Sequence, residues 1–169
     1  ETEVFVFGGL CVMAEGRCQL SSWATGQSPN RVGVCSPPSE VDYAESPGCL
    51  TARLGGFTID RYAPDAPAGY PTLCKGTFKV EGAPSHIFAD PVSLNASTLL
   101  GGLQAAGVTA LKIEGRQRGK AYIARVVRAF RQAVDATARG KPPGEVSRLL
   151  AAFTEGGGET TGAYQKTWR

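Results

Sequence analysis

The chain has 169 residues, of which 42% are hydrophobic and 20% charged. That is enough apolar material for one ordinary domain with a sizeable core, and it excludes a disordered chain. No apolar run approaches the roughly 20 residues that cross a bilayer. The formal net charge is only +3, but the basic residues are unevenly placed.

Five cysteines occur, and all lie within the first 74 residues. The opening ETEVFVFGG has neither the basic segment nor the long apolar segment of a secretory signal. A cytoplasmic, reducing setting is therefore expected. Grouped cysteines in such a setting bind metal or do redox chemistry more often than they form disulfides. An odd count would also leave one thiol over from any complete disulfide framework. There is no initiator Met and the chain opens in mid-strand, so a preceding segment is expected.

Residues 2 to 13 read as a buried strand that ends near Cys11, with Val4 and Val6 alternating with Phe5 and Phe7. Residues 14 to 50 are rich in Gly, Ser and Pro and read as loop. A long loop inside a compact domain is usually functional or tied down, and here the cysteines are the candidate tie. LTARLGGFTIDRY, 50 to 62, predicts two short strands around a Gly55-Gly56 turn. PTLCKGTFKVEG, 71 to 82, carries another strand.

The second half changes character. Residues 93 to 106 predict a helix with Leu94, Leu99, Leu100 and Leu103 apolar, stopped by Gly107. VTALKI, 108 to 113, is a short buried strand. Residues 120 to 138 give the clearest helix, with Ile123, Val126, Val127, Phe130 and Val134 on one face. This order implies an α/β layer with a parallel sheet. GGGETTGAYQKTWR, from 156 onward, reads as a loosely held polar tail. Two parts are expected: a cysteine-rich region over 1 to 92, and an α/β region with its tail over 93 to 169.

Between 112 and 141 there are nine Lys and Arg (112, 116, 118, 120, 125, 128, 131, 139, 141), half of the chain's 18, against Glu114 and Asp135. Such a run is either a solvated helix face or a surface for an anionic substrate, an acidic partner or RNA. LKIEGRQR, 111 to 118, sets Lys112, Glu114, Arg116 and Arg118 around a strand end that enters a helix. Functional groups gather at such ends in barrel-like α/β folds. Arg116 can grip a carboxylate bidentately. Glu114 and Arg116 are thus candidate catalytic residues, and the bland alternative is a Lys112–Glu114–Arg116 salt-bridge patch. His86 is the only His; it lacks the neighbours of a serine triad and reads as a surface or loop residue. Asp60, Arg61 and Tyr62 read as a structural strand end.

The cysteines are spaced Cys11-x6-Cys18-x16-Cys35-x38-Cys74, with Cys49 extra. This matches neither the C-x2-C pairs of a zinc ribbon nor a tight ferredoxin run. It does allow a four-thiolate site gathered from separate loops, which selects zinc, copper(I) or an iron–sulfur cluster. Buried free thiols or disulfides remain open as well. Glycines at 8, 9 and 16 would let backbone N–H groups approach cluster sulfurs.

EVFVFGGLCVMAEGRCQLS (3 to 21), SPNRVGVCSPP (28 to 38), IDRY (59 to 62), AGYPTLCKG (68 to 76), SLN (93 to 95), AGVTALKIEGRQR (106 to 118) and GAYQKTW (162 to 168) together resemble the collagenase-like peptidase family U32. The likeness is to the C-terminal half of its UbiU-like, ubiquinone-biosynthesis branch. It implies the C-terminal part of a barrel-like α/β fold with a cysteine-rich loop region that holds a 4Fe-4S cluster. Residue by residue, the ligands fall on Cys11, Cys18, Cys35 and Cys74, and Cys49 matches none. Phe7 stands where relatives often carry His, and the departure reads as peripheral, because a ring at a strand end can be core in either form. The resemblance further implies oxygen-independent hydroxylation of a quinone precursor, prephenate as oxygen donor, and a heterodimer with a UbiV-like protein. The alternatives within the family are hydroxylation of RNA bases and peptidase activity. With one His and four thiols committed to metal, proteolysis is poorly supported.

Overall fold

The computed structural model describes residues 1–14, 17–66, 68–143 and 145–165. In chain order the first elements are β1 (Glu3–Gly9), α1 (Gln19–Thr25), α2 (Pro29–Val32), β2 (Val41–Ser46), β3 (Cys49–Leu54), β4 (Phe57–Tyr62), β5 (Phe78–Val80) and β6 (Ala83–Ser85). Then follow β7 (Val92–Asn95), α3 (Leu100–Ala105), β8 (Ala110–Ile113), α4 (Lys120–Ala138), α5 (Val146–Ala151) and β9 (Gly158–Thr160). The chain divides into two compact units, Glu1–Leu10 with Pro91–Arg169, and Cys11–Asp90.

The first unit is built on a four-stranded sheet in the order β8-β1-β7-β9. β1 runs parallel to β8, with Val4 opposite Leu111, and antiparallel to β7, with Gly8 opposite Leu94. β7 and β9 are parallel. The sheet is therefore mixed, which corrects the expectation of a parallel sheet, and among the described residues it is open rather than a closed barrel. Parallel strands need a long crossover connection, whereas antiparallel neighbours do not. β7 follows the whole of the second unit in the chain and no single crossover helix joins it to β1.

α4 runs over Lys120–Ala138, as its periodicity predicts. Its buried stripe is Val126, Ala129, Phe130 and Ala133. Ile123 and Val127, expected on the core face, are 42% and 49% exposed. The two alanines draw the contact line toward themselves because small side chains let a helix approach its neighbours closely. Phe7 is fully buried and its ring lies 5.8 Å from that of Phe130. It is a core ring, as a ring at this strand end can be.

Two further corrections concern the ends of this unit. Ser93, Leu94 and Asn95 are strand rather than helix, and the α-helix starts only at Leu100. Asn95 Oδ1 accepts the Ser97 N–H at 3.2 Å, a side-chain turn that ends the strand before a helix can form. The polar tail supplies β9. Asn95 Nδ2 donates to Glu159 Oε2 at 2.9 Å and the Glu155 N–H to Ser93 Oγ at 2.9 Å. Backbone pairing and polar contacts hold this segment where the sequence shows no apolar pattern. Gly16 and residues 166 to 168 of the GAYQKTW stretch lie outside the described residues.

The second unit carries an antiparallel sheet, β2-β3-β4, and a β5-β6 hairpin. The stretch read as loop, 14 to 50, contains α1, α2 and β2. A small core of Ala24, Leu54, Ile59 and Leu73 joins α1 to this sheet. The predicted turn at Gly55-Gly56 connects β3 to β4. Gly55 has φ +56, and a Cβ there would lie 1.7 Å from the Ala24 carbonyl oxygen. Only glycine meets both conditions. Among the described residues, no helix is long and apolar enough to cross a membrane.

Candidate functional site

All four candidate ligands, Cys11, Cys18, Cys35 and Cys74, belong to the second unit. Cys18 is the N-cap of α1, and its Sγ accepts the Ser21 N–H at 3.4 Å. Ser21, one turn on, donates its hydroxyl to the Cys35 carbonyl at 2.5 Å. Ser36, next to Cys35, donates to the Pro71 carbonyl at 2.5 Å. Pro71 stands just before the 3-10 turn Leu73–Lys75 that carries Cys74. Two buried serines thus tie the three segments that bear Cys18, Cys35 and Cys74. The Cys74 carbonyl in turn accepts the Ala89 N–H at 3.1 Å.

Burial pushes the Cys74 thiol up to about 11. Lys75 pulls against that rise, while Cys11, Cys18 and Cys35 add to it. These three are therefore close enough to Cys74 for their charges to act on it, and Cys49 is not among them. A bound cation would reverse the balance, because it stabilises every thiolate at once. Among the described residues no three His, Cys, Asp or Glu side chains converge tightly enough for one metal ion. The two facts agree, since charge coupling reaches well beyond coordination distance. As a donor set, four thiols without carboxylate or imidazole suit soft iron or zinc chemistry.

The other candidates lie apart from this set. Cys49 opens β3, with its Sγ 3.9 Å from Thr51 Oγ1. Glu114 and Arg116 follow β8 and belong to the first unit. The Glu114 N–H donates to the Phe7 carbonyl at 2.9 Å, and its Oε1 accepts the Arg116 N–H at 2.6 Å. That geometry is a local turn. Lys112 does not join it; its Nζ lies 4.8 Å over the Phe5 ring. His86 Nδ1 is 3.1 Å from the Gly76 carbonyl. Asp60 accepts the Thr77 N–H at 3.1 Å and the Tyr62 hydroxyl at 3.4 Å, which makes it a strand-end tie. Ser21 and Ser36 escaped the sequence argument. The available signal was their place beside cysteines, Ser21 three residues after Cys18 and Ser36 next to Cys35.

The family model for peptidase family U32 matches residues 1–158. The chain belongs to peptidase family U32. Within U32 it is 32% identical to the tRNA hydroxylation protein P of Haemophilus influenzae, over 84% of this chain and 35% of that protein. It is 29% identical to the 23S rRNA 5-hydroxycytidine C2501 synthase of Escherichia coli, over 90% of this chain and 18% of the synthase. It is 27% identical to a collagenase of Porphyromonas gingivalis, over 82% of this chain and 30% of the collagenase. The chain thus spans about a third or less of the length of the curated relatives it matches. No solved structure matches.

Proposed function

We propose that this U32 chain serves hydroxylation of RNA bases, with Cys11, Cys18, Cys35 and Cys74 holding a 4Fe-4S cluster. The observation that carries the substrate class is the likeness to tRNA hydroxylation proteins over 84% of the chain. An rRNA hydroxycytidine synthase stands among the relatives too. These names favour the RNA alternative over the ubiquinone reading with its UbiV-like partner and prephenate. The collagenase likeness gains no support from the residues, since among the described ones no hydrogen bond joins His86 to a cysteine.

The hydrogen bonds by which Ser21 and Ser36 tie together the segments of Cys18, Cys35 and Cys74 support a shared thiolate site. Four thiolates on one zinc, each at ~2.3 Å, would have to sit within about 4 Å of one another. A 4Fe-4S cluster would take one thiolate per iron, four in all. When bound, it supplies one-electron chemistry. The chain's own part is to hold the thiolates, through Ser21, Ser36 and the α1 cap, and to keep Cys18 and Cys74 out of water. Glu114 and Arg116 remain proposed substrate contacts at the C-terminal end of β8.

The test is nucleoside mass spectrometry of tRNA and rRNA from a strain without the gene. The expected result is loss of a hydroxylated base, restored by the wild-type gene and not by Cys35→Ser. Unchanged RNA together with depleted ubiquinone in anaerobic growth would overturn this reading in favour of the quinone route.

A further inference from the structure

Six of the nine cations between 112 and 141 fall into two groups. Lys112 is held over Phe5, Arg118 pairs with Glu155, and Arg131 reaches Asp135 at 2.6 Å. These charges are engaged within the unit. Lys120, Arg125 and Arg128 enter no ion pair among the described residues. All three are exposed on α4.

Their placement follows from helical geometry. Lys120, Ala124 and Arg128 fall on one line at i, i+4 and i+8, and Ala121 and Arg125 fall on the next. The alanines leave the surface low between the cations. Lys120 and Arg128 are separated by a rise of about 12 Å along the axis. The only acid in α4 is Asp135, at the far end and already paired. The charge of the chain is concentrated on the same unit. By sequence, the unit carrying α4 has twelve Lys and Arg against seven Asp and Glu, while the other has six against eight. Three exposed cations within about two turns of one helix, in no ion pair among the described residues, are complementary to a polyanion.

We propose that the outward face of α4 is a phosphate-binding surface for RNA, carried by Lys120, Arg125 and Arg128. The proposal rests on RNA being the substrate class, and it adds the place where the backbone is gripped. These contacts position RNA and read no sequence. Their loss weakens every RNA alike and lowers the salt dependence.

The experiment measures binding of bulk tRNA to the protein at its natural length across a salt series. The wild type is compared with the Arg125→Gln/Arg128→Gln double variant and with Arg148→Gln. Arg148 sits on α5 and pairs with Glu145. Circular dichroism of each variant reports folding. The expected result is several-fold weaker binding by the double variant. Its slope of log K against log salt falls by about 1.5, since each phosphate contact contributes about 0.7–0.9. Arg148→Gln should match the wild type. A double variant with the wild-type slope and affinity overturns the surface, as does a wild type that does not bind tRNA. The nucleoside analysis above decides the hydroxylation reading separately. A base lost with the gene but an unchanged slope sinks only the α4 surface. A reduced slope with every hydroxylated base intact sinks only the hydroxylation reading.

Discussion

The Ser36 hydroxyl donates to the Pro71 carbonyl at 2.5 Å, from a side chain with no solvent exposure. This one bond spans 35 residues of chain and joins the loop of Cys35 to the segment that leads to Cys74. The thiol site therefore depends on a residue that ligates nothing. Ser36→Ala strands a buried carbonyl, which costs about 1–3 kcal/mol. The expected outcome is a lower denaturant midpoint and reduced iron content, measured on protein reconstituted without oxygen. Unchanged iron loading would mean that the loops find their places without this tie.

The cysteines should separate cleanly. Cys18→Ser, Cys35→Ser and Cys74→Ser are each expected to lose the visible absorbance of the cluster, because a hydroxyl is a poor ligand for soft iron. Cys49→Ser is expected to keep it, as Cys49 opens β3 and contacts Thr51 instead. The check is iron content and absorbance of the variants prepared side by side.

Two glycines with similar backbone angles should respond very differently to alanine. Gly48 has φ +78 and open space around its missing side chain. Gly48→Ala should cost only the left-handed conformation, about 1–2 kcal/mol. Gly55→Ala adds a collision with the Ala24 carbonyl, 1.7 Å from the new carbon. Relief would require α1 and the β3–β4 turn to part, so the second unit should fail to fold. Solubility and circular dichroism of both variants decide the matter.

Burial pushes the Tyr62 hydroxyl up to about 12, with the charge of Asp60 adding to the rise. An acid whose folded value is raised gives stability that is whole below its ordinary value of 10.0 and is lost as pH climbs through the folded one. Stability should therefore fall between about pH 10 and about 12 as this tyrosine is forced to ionise. Tyr62→Phe should flatten that part of the profile. Ultraviolet titration should show one late tyrosine fewer in the variant.

The sequence made some elements plain and hid others for physical reasons. α4 was legible because a long apolar stripe repeats at helical spacing between Gly119 and Arg139. Its orientation was misjudged, since Ala129 and Ala133 do not stand out in a hydrophobic pattern although they form the contact line. β2 was missed inside a polar stretch. It is an exposed strand, and the Pro47-Gly48 turn between Tyr43 and Leu50 was the signal for its hairpin. β9 has no apolar code, because its hold comes from backbone pairing with β7. The four thiols could be singled out by family likeness, but not Ser21 and Ser36. Serines in a Gly- and Pro-rich loop look alike until the chain is folded.

The measurement that tests the central claim most directly is the metal content of the protein purified without oxygen. The account predicts about four irons and four acid-labile sulfides per chain, with a brown absorbance that reduction bleaches. Colourless protein carrying about one zinc would contradict it and leave the four thiols as a structural staple.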